Sequence, residues 1–471
     1  MQPTNNTIQT PSSPPGWQMN PVLVMLTIVI IAFLMTYFVN SGQYERDGKK
    51  VIPDSYQTIT KDITLEQLLG TEKSAEGTAA PVSLPQLFKA IPEGIVKQSP
   101  LIYMVLFIGG MFGILNKTRA IESGLERLLH VTRGNIYLLI PFLMIVFSMG
   151  STFMGLAKEY LLVIPMVIAL VKRVGLNELI GLAIVAIAVK VGYLASITNP
   201  YALSIAQPLV GLPVFSGLSM RIAAYLIFIT LGILFIFYSI RKTTLTSYVV
   251  EEHNQTTQLT HRHKLMLIVL AIGVAFLVYA SNRWHWKNND LSAYYLFLSV
   301  ILTFFSGLTA SAAANAFVSG MKKVLIAGVL IGLATAVEII LSQGKILDTI
   351  IHQLVGLVGN HGPYVSSYSM FISQLLLDIA IPSTSGQAAV TMPILGPVGE
   401  ISGVSPQTTV FAFLMGNGLT NMITPTSSGL LIFLATAGVS WTTWAKYILP
   451  LFLIFMAISI GLLTIAVTIG Y

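Results

Sequence analysis

Long apolar runs alternate with short polar connections along most of the chain. Each run holds about 16 to 23 uncharged residues, close to the roughly 20 that a helix needs to cross the hydrocarbon core of a membrane. This pattern favours an all-α polytopic membrane protein. The predicted transmembrane helices lie at residues 21–39 and near residues 100–115, 217–238, 265–281, 292–309, 324–341 and 447–469.

Four further stretches are apolar but interrupted. Residues 135–171 and 364–400 each consist of two apolar halves around a polar centre, and residues 178–212 and 406–438 are each broken near a proline. A half of about 15 residues is about 22 Å long, which is too short for a hydrocarbon core of roughly 30 Å. We therefore predict two re-entrant hairpins, each followed by a broken transmembrane helix.

The order of these stretches repeats along the chain. The hairpin tip GSTFMG (150–155) precedes the break SITNPY (196–201), and the tip PSTSG (382–386) precedes the break MITPTSS (422–428). Two such units that enter from opposite faces form an inverted-topology repeat, which is typical of transporters with a site near the membrane midplane. The predicted repeats span residues 100–240 and 265–471, with a linker at 241–264.

Charge placement assigns a side of the membrane to each element. Only 10% of the residues are charged, and the formal net charge is +7. With the connection after residues 100–115 on the inside, the inner connections hold thirteen lysines and arginines, among them Lys117, Lys322 and Lys323, and the short outer connections hold four. The four are Arg221, Arg283, Lys287 and Lys345. This positive-inside bias predicts a cytoplasmic N-terminus and linker, and it accounts for the basic charge without nucleic-acid binding.

The polar segments have separate predicted roles. Residues 1–20 are rich in Pro, Ser, Thr and Asn, which predicts a disordered tail. Residues 40–99 form a predicted extracytoplasmic loop, in which alternation around an Asp-Gly pair indicates a short hairpin. Residues 117–130 and 344–359 have the spacing of amphipathic surface helices, and we expect their charges, including Asp348, to form a solvated face. The chain contains no cysteine, which excludes disulfides and thiolate chemistry.

The interruptions supply the candidate binding residues. Non-helical backbone is costly in lipid unless it lines a polar cavity or is buried in protein. Hydroxyls, amides and freed carbonyls can coordinate a small cation, and half-helix N-termini can hold a carboxylate. The candidate substrate-binding residues are Ser151, Thr152, Thr198, Asn199, Ser383, Thr384, Ser385, Asn421, Thr424 and Thr426. We expect Pro200, Pro425 and Gly386 to hold the breaks open, the alternative being that such residues only kink ordinary helices.

Ionisable side chains inside apolar stretches form a second set of candidates, because they are costly there unless paired or hydrated. Glu159, Asp378 and Lys190 are candidate contacts for the solute or a coupling ion, together with Asn417, which lies one helical turn before Asn421. A structural ion pair is the alternative for Lys190, and we expect Glu338 to be structural or interfacial. The histidines suggest no metal site. Na⁺ or H⁺ is considered as the coupling ion, and no other cofactor is expected.

Several motifs in combination are similar to those of one family. They are SGQYER (41–46), NPYALSIAQPLVGLP (199–213), ILDTII (346–351), IPSTSGQAAVTMPILGPVGE (381–400) and GNGLTNMITPTSSGLL (416–431). The chain resembles the YfcC-like carriers, a group that includes the C4-dicarboxylate and arginine/ornithine carriers of the DcuC/ArcD type in the ion transporter superfamily. The resemblance covers nearly the whole chain after about residue 20. It implies a bacterial inner-membrane secondary carrier with scaffold and transport domains, an elevator-like movement and often a homodimer.

The predicted function is therefore secondary active transport of a small carboxylate-bearing solute, an amino acid (especially a basic one) or a C4-dicarboxylate. The helices at 217–238 and 447–469 are expected to belong to the scaffold. A channel is one alternative, but it requires a continuous pore with a filter. A membrane-embedded enzyme is another, yet the chain has no H-E-x-x-H, G-x-S-x-G or P-loop motif. The expected partners are the solute, the lipid bilayer and a second copy of the chain.

Overall fold

A computed structural model describes residues 21–47, 50–52, 55–61, 63–70, 78–120, 123, 135–244, 260–284, 286–356, 358 and 361–471. The predicted tail at 1–20 lies outside the described residues. So do most of the surface helix predicted at 117–130 and most of the linker predicted at 241–264.

The described residues are mainly helical. In chain order the helices are α1 (Pro21–Phe38), α2 (Leu65–Leu69), α3 (Leu84–Lys97), α4 (Ser99–Thr118), α5 (Ile136–Met154), α6 (Ile164–Arg173), α7 (Glu178–Ala195), α8 (Pro200–Leu209), α9 (Leu218–Thr244), α10 (His261–Arg283), α11 (Asn288–Ser306), α12 (Ala310–Gln343), α13 (Leu347–Gly356), α14 (Pro363–Ala380), α15 (Thr384–Ile401), α16 (Pro406–Thr420), α17 (Ser428–Ala437) and α18 (Trp441–Thr468). A short 3-10 turn, Lys158–Leu162, lies between α5 and α6.

Six helical stretches in the described residues are long and apolar enough to cross a membrane, which supports a multi-pass membrane protein. One of them is α5, whose 19 residues measure about 28 Å. This arm is longer than the half of about 15 residues that we expected for a hairpin. The helix continues through Ser151 and Thr152 to Met154, so most of the GSTFMG segment is helical and the interruption begins at its last residue, Gly155.

The helices pack in two groups. α12 lies against α1, α3 and α4, and α11 packs on α4. The interrupted helices form the other group, in which α5 and α6 pack on α7, α14 packs on α16, and α7 contacts α16. The helices expected in the scaffold, α9 and α18, pack on this second group instead, α9 on α7 and α18 on α14 and α16. α9 and α18 also contact each other, with the ring centroids of Phe228 and Phe455 4.8 Å apart.

The polar loop after α1 contains four short strands, β1 (Ser41–Gln43), β2 (Arg46–Asp47), β3 (Lys50–Val51) and β4 (Gln57–Ile59). β2 and β3 pair antiparallel, with Arg46 opposite Val51, as expected for the hairpin around the Asp-Gly pair. β1 and β4 also pair antiparallel, with Ser41 opposite Ile59.

This loop is attached to α13, which corrects the expected solvated face there. Asp348 is 5% exposed, accepts a hydrogen bond from Tyr44 N at 3.0 Å and forms an ion pair with Arg46. His352 stacks on Tyr56 with ring centroids 4.0 Å apart. Asp348 is buried because it supplies the acceptors that the strand segment needs.

Candidate functional site

A glycine in the left-handed conformation ends α5 and begins the first interruption. Gly155 has φ of 70°, and its N–H donates to Ser151 O at 2.9 Å. A Cβ at this position would lie 2.5 Å from Tyr201 Cδ2 and 2.8 Å from Asn199 Oδ1. Glycine alone combines this backbone conformation with so close an approach. The end of α5 therefore lies directly against the start of α8.

The predicted hydroxyls of α5 bond to backbone groups. Ser151 Oγ donates to Val189 O at 2.7 Å, and Thr152 Oγ1 accepts from Ile197 N at 2.9 Å. Both side chains are fully buried. They satisfy backbone groups of α7 and of the break that follows it, where the helical pattern of hydrogen bonds stops.

Thr198 and Asn199 occupy the break between α7 and α8. Thr198 Oγ1 donates to Phe153 O at 3.1 Å. Asn199 caps α8, because its Oδ1 accepts from Tyr201 N at 3.0 Å, and Pro200 takes the first helical position. The Nδ2 atom of Asn199 is buried and has no hydrogen-bond partner in the described residues. One amide donor is therefore open beside this break.

A buried arginine supports the same break. Charge analysis placed Arg221 in an outer connection, but it lies in α9 and is 1% exposed. Its Nε donates to Ile197 O at 3.3 Å, and its guanidinium also donates to Phe215 O at 3.2 Å. A guanidinium has five donors and can satisfy several carbonyls that a helix break leaves free. Arg221 is the fourth residue of α9, and the charge pattern alone did not distinguish this buried position from an outer connection.

The two predicted repeats, residues 100–240 and 265–471, are called the first and second halves below. Asp378 lies at the centre of a polar network in the second half. Its Oδ1 accepts from Asn417 Nδ2 at 2.5 Å and from Asn421 Nδ2 at 2.9 Å. The two asparagines are one turn apart at the end of α16, the arrangement predicted from their spacing. Asp378 is fully buried, and its Oδ2 has no hydrogen-bond partner in the described residues. Buried polar atoms are normally bonded, so the unpartnered Oδ2 is an open carboxyl oxygen.

The network continues from Asn417 to Thr384 and Gln387 in α15, and from Gln387 to Gln374 in α14. Thr384 Oγ1 donates to Asn417 Oδ1 at 2.9 Å, and Gln387 Oε1 accepts from Asn417 Nδ2 at 2.8 Å. Gln387 in turn donates to Gln374 Oε1 at 2.7 Å. Sequence analysis missed both glutamines. Gln374 could have been found, because it lies four residues before Asp378 and so shares its helical face.

The break between α16 and α17 is bonded both within itself and to α18, whose Trp441 and Trp444 indole N–H groups donate to Ile423 O and Met422 O. Ser427 Oγ donates to Asn421 Oδ1 at 2.8 Å. The hydroxyls of Thr424 and Thr426 are 2.8 Å apart, on either side of Pro425, and both side chains are buried. Asn421 thus connects this break to Asp378, whereas the two threonines bond to each other.

The start of α15 differs in one respect from expectation. The break consists of Ile381–Ser383, and Ser383 Oγ caps the helix by accepting from Gly386 N at 3.3 Å. Gly386 therefore lies inside the first helical turn and is not itself the break. Ser385 lies beside Thr384 in the same turn.

Two glycines hold Asn417 in place. A Cβ on Gly416 would lie 2.7 Å from Phe371 O in α14, and a Cβ on Gly418 would lie 2.7 Å from Leu194 Cα in α7. α16 therefore touches the backbones of two neighbouring helices, one on either side of Asn417. This close packing brings the broken helices of the two halves together next to the network.

A cavity of about 1210 Å³ lies between the interruptions of the two halves. Its lining includes Gly155, Glu159, Tyr193, Thr198 and Pro200 from the first half, Thr384 and Ser385 from the second, and Trp286 and Lys287 before α11. Thr384 belongs both to this lining and to the Asp378 network. A solute in the cavity is thus one side chain away from Asn417.

Glu159 and Lys158 lie at the wall of the cavity. Glu159 is 8% exposed, and its Oε2 accepts from Ala157 N at 2.9 Å. Lys158 Nζ donates to Asn288 Oδ1 at 2.5 Å. The carboxylate of Glu159 therefore closes the turn after α5 in addition to facing the cavity.

Lys190 and Glu338 have different surroundings. Lys190, in α7, interacts electrostatically with Asp378, but among the described residues no hydrogen bond or ion pair within 4 Å joins them. The structural ion pair considered for Lys190 is thus not formed at bonding distance. Glu338 pairs with Lys97 at 3.1 Å, far along the chain from the interruptions, as a structural residue would.

Comparison with known proteins gives family-level relationships. Residues 20–468 match the DcuC family, described as C4-dicarboxylate anaerobic carriers. An Escherichia coli protein named "Putative basic amino acid antiporter YfcC" is 27% identical over 468 residues, which cover 91% of this chain and 92% of the relative. A Haemophilus influenzae protein, named only as uncharacterized, is 23% identical over 490 residues, covering 94% and 96%.

Two solved transporter structures show a distant likeness. The Alcanivorax borkumensis YdaH transporter has a TM-score of 0.45 at 16% identity, covering 96% of this chain and 99% of that one. Neisseria gonorrhoeae MtrF, described as one of a class of antimetabolite efflux pumps, has a TM-score of 0.41 at 17% identity, with 95% of each chain covered.

Proposed function

The chain belongs to the C4-dicarboxylate anaerobic carrier family, and on that premise we propose that it is a secondary active transporter for basic amino acids in the bacterial inner membrane. Movement of the solute is driven by exchange or by an ion gradient. The proposal assigns solute binding to the cavity between the two interruptions and to the open polar atoms beside it.

One observation carries the choice of solute. Asn199 Nδ2 is an open donor in the first half, and Asp378 Oδ2 is an open carboxyl oxygen in the second. An amino acid offers a carboxylate for the first atom and a cationic group for the second. Both atoms are covered in this structure, so the segments around Thr198 and Thr384 must open before a solute reaches them.

The open carboxylate favours a basic side chain. A buried charge without a partner costs several kcal/mol, so a cation that reaches Asp378 gains that much by pairing with it. Lys190 is an internal source of positive charge that acts on Asp378 electrostatically. We propose that Lys190 and a bound cation, which is a basic amino acid, Na⁺ or H⁺, compete for Asp378. Such competition favours exchange, because a solute molecule arriving from one side of the membrane takes the place at Asp378 of the molecule released to the other side.

A C4-dicarboxylate is the second candidate solute. The family description supports it, and Lys158 and Lys287 line the cavity as possible partners for two carboxylates. Against it, a dicarboxylate has no cation for Asp378 and would bring negative charge toward Asp378 and Glu159. The two candidates therefore differ in whether removal of Asp378 reduces or improves binding.

Alternating access is proposed to follow the elevator scheme. The interrupted helices, with α9 and α18 packed on them, would form the moving unit, and α1, α3, α4, α11 and α12 the scaffold. The charge distribution puts the connection before α11 outside, and Trp286 from that connection lines the cavity. We propose that this conformation is the outward-facing one. The same proposal holds that the two interrupted halves are inverted repeats. It also holds that the chain forms a homodimer through its scaffold.

Counterflow in proteoliposomes tests the function. Vesicles containing the purified chain and loaded with L-lysine should accumulate labelled L-arginine transiently, and empty vesicles should not. Succinate-loaded vesicles with labelled succinate form the second arm. Counterflow of succinate alone would replace the proposed solute with a dicarboxylate, and equal leakage from all vesicles would indicate a channel.

A further inference from the structure

Backbone carbonyls fix the orientation of the amides around Asp378, because a carbonyl oxygen can only accept a hydrogen bond. Gln387 Nε2 donates to Gln374 O at 2.8 Å, so Gln387 Oε1 is the atom that accepts from Asn417 Nδ2 at 2.8 Å. Asn421 Nδ2 donates to Asn417 O at 3.1 Å. Both asparagines therefore present nitrogen to Asp378, and the side chains that bond its Oδ1 are donors.

Donors of the protein also occupy the carbonyls that the break between α16 and α17 frees. Such carbonyls commonly coordinate Na⁺ in transporters. Here Met422 O accepts from Trp444 Nε1 at 2.8 Å. Ile423 O accepts from Trp441 Nε1 at 2.7 Å. In the described part of the network, Oδ2 of Asp378 is the side-chain oxygen that has no hydrogen bond.

One open oxygen suits a proton better than a sodium ion. Hard metal cations take several oxygen ligands in exchange for their hydration water. A proton needs one oxygen, and it removes a charge that is costly in a fully buried carboxyl group such as that of Asp378. Gln374 Nε2, one turn before Asp378 on α14, is a further buried donor without a partner among the described residues. The described network thus supplies donors, whereas a sodium site requires oxygens.

Lys190 is the charged side chain that acts on Asp378 electrostatically. The helices packed against α14 are α12, α13, α15, α16 and α18, of which α16 carries no titratable side chain. The titratable groups of α14 itself and of the other four helices are ion-paired, hydrogen-bonded or exposed, namely Glu338, Asp348, Tyr364, Tyr368, Tyr447, Lys322, Lys323, His352, Glu400 and Lys446. Among the described residues, protonation of Asp378 is therefore coupled mainly to Lys190.

We propose that the coupling ion is a proton carried by Oδ2 of Asp378, and that Na⁺ does not bind there. The inference rests on the proposed function, since it requires a cationic solute that reaches this carboxyl group. As the solute cation pairs with the carboxylate, the O–H bond breaks and the proton passes to the water on the side from which the solute came. After the solute leaves, a proton from the opposite side binds. One basic amino acid is thus exchanged for one proton.

Calorimetric titration of the purified full chain in neutral detergent with L-arginine tests the proton. Titrations in two buffers of different ionisation enthalpy give the number of protons released on binding. We expect about one proton per bound arginine at the lower end of the range from about pH 5 to pH 7, in which free arginine keeps its charges. The dissociation constant should fall about tenfold per pH unit until Asp378 ionises without solute.

Two aspartate variants make this titration specific. Asp378→Asn carries no titratable proton and should release none with the arginine that it still binds. Asp348→Asn makes the same change at another buried aspartate, away from the interrupted helices, and should release as many protons as the wild type. Arginine binding by the wild type without proton release would overturn the inference and leave the proposed function intact.

Thermal unfolding without solute tests the inference independently of the proposed function. Equal concentrations of NaCl and choline chloride should give the same unfolding temperature. The wild type should lose stability relative to Asp378→Asn as the pH rises, because the folded chain holds a proton that the unfolded chain releases. Stabilisation by Na⁺ that Asp378→Asn abolishes, or parallel pH profiles of the two proteins, would overturn the inference. Absence of arginine binding would overturn the proposed function, and these two measurements would still decide between H⁺ and Na⁺ at Asp378.

Discussion

The two interrupted halves use similar residues in different ways. In the first half, Ser151 and Thr152 bond to backbone groups and keep the break after α7 closed. In the second, Thr384 and Asn417 bond to other side chains and lead to Asp378. Hydroxyl-rich interruptions that look equivalent in the sequence thus differ in chemistry, the first being mainly structural and the second mainly electrostatic.

The difference follows from what each half must satisfy. Breaks in both halves free backbone groups, which cost free energy if they remain unbonded. The first half meets this demand with short hydroxyls and with Arg221, which is buried against the break. The second half also contains a buried carboxyl group to which its amides are bonded, and the break after α16 is bonded by its own side chains and by two tryptophan indoles of α18.

The largest effect should come from Asp378→Asn. The variant keeps an acceptor for Asn417 and Asn421 but removes the charge that attracts a cation. We expect arginine exchange in proteoliposomes to fall at least about a hundredfold, since loss of a hydrogen bond to a charged group costs about 1.5–3 kcal/mol and the ion pair is lost with it. Thermal stability should be unchanged or higher, because an uncompensated buried charge disappears. Exchange near the wild-type rate would show that Asp378 does not bind the solute.

A smaller but still large effect should follow Gly418→Ala. The new methyl group would meet the Leu194 backbone and push α16 away from α7, and such overpacking typically costs about 1–3 kcal/mol. Thermal unfolding measures the loss of stability. Gly461→Ala is the control, since a Cβ on Gly461 meets nothing within 4 Å and should be neutral or slightly stabilising. Equal stability of the two variants would argue against the backbone contact between the halves.

The comparison between the halves is tested most finely by Thr384→Ala and Thr152→Ala. Each removes a hydrogen bond worth about 0.5–1.5 kcal/mol. Thr384→Ala should weaken arginine binding about three- to tenfold with little change in thermal stability, and Thr384→Ser should restore binding. Thr152→Ala should lower thermal stability and leave binding of the remaining folded protein unchanged. The reverse pattern would exchange the roles assigned to the two halves.

The smallest effect should be that of Asp348→Asn, which breaks the ion pair between Arg46 and α13, away from the interrupted helices. Because Arg46 is partly exposed, the pair is screened, and we expect a loss of at most about 1 kcal/mol in unfolding free energy. Arginine exchange should be unaffected. A strong loss of exchange would show that the attachment of the loop to α13 belongs to the transport cycle.

The sequence was most informative where a pattern is local. Apolar run lengths indicate the helices, and the prolines and caps indicate the breaks, for example Asn199 before Pro200. Spacing also places Asn417 and Asn421 on one face. Local patterns do not specify which side chains meet across helices, so Gln387 and the burial of Arg221 were not predicted. Asp348 was misplaced for the same reason, since its partner Arg46 is 302 residues away along the chain.

The central claim is that a solute cation pairs with Asp378 while the solute carboxylate meets Asn199. Calorimetric titration of the wild type, Asp378→Asn and Asn199→Ala with L-arginine, L-citrulline and agmatine tests it most directly. Citrulline lacks the cationic side chain and agmatine lacks the carboxylate. The wild type should prefer arginine to both, Asp378→Asn should lose the preference over citrulline only, and Asn199→Ala should lose the preference over agmatine only. Unchanged preferences in both variants would contradict the claim.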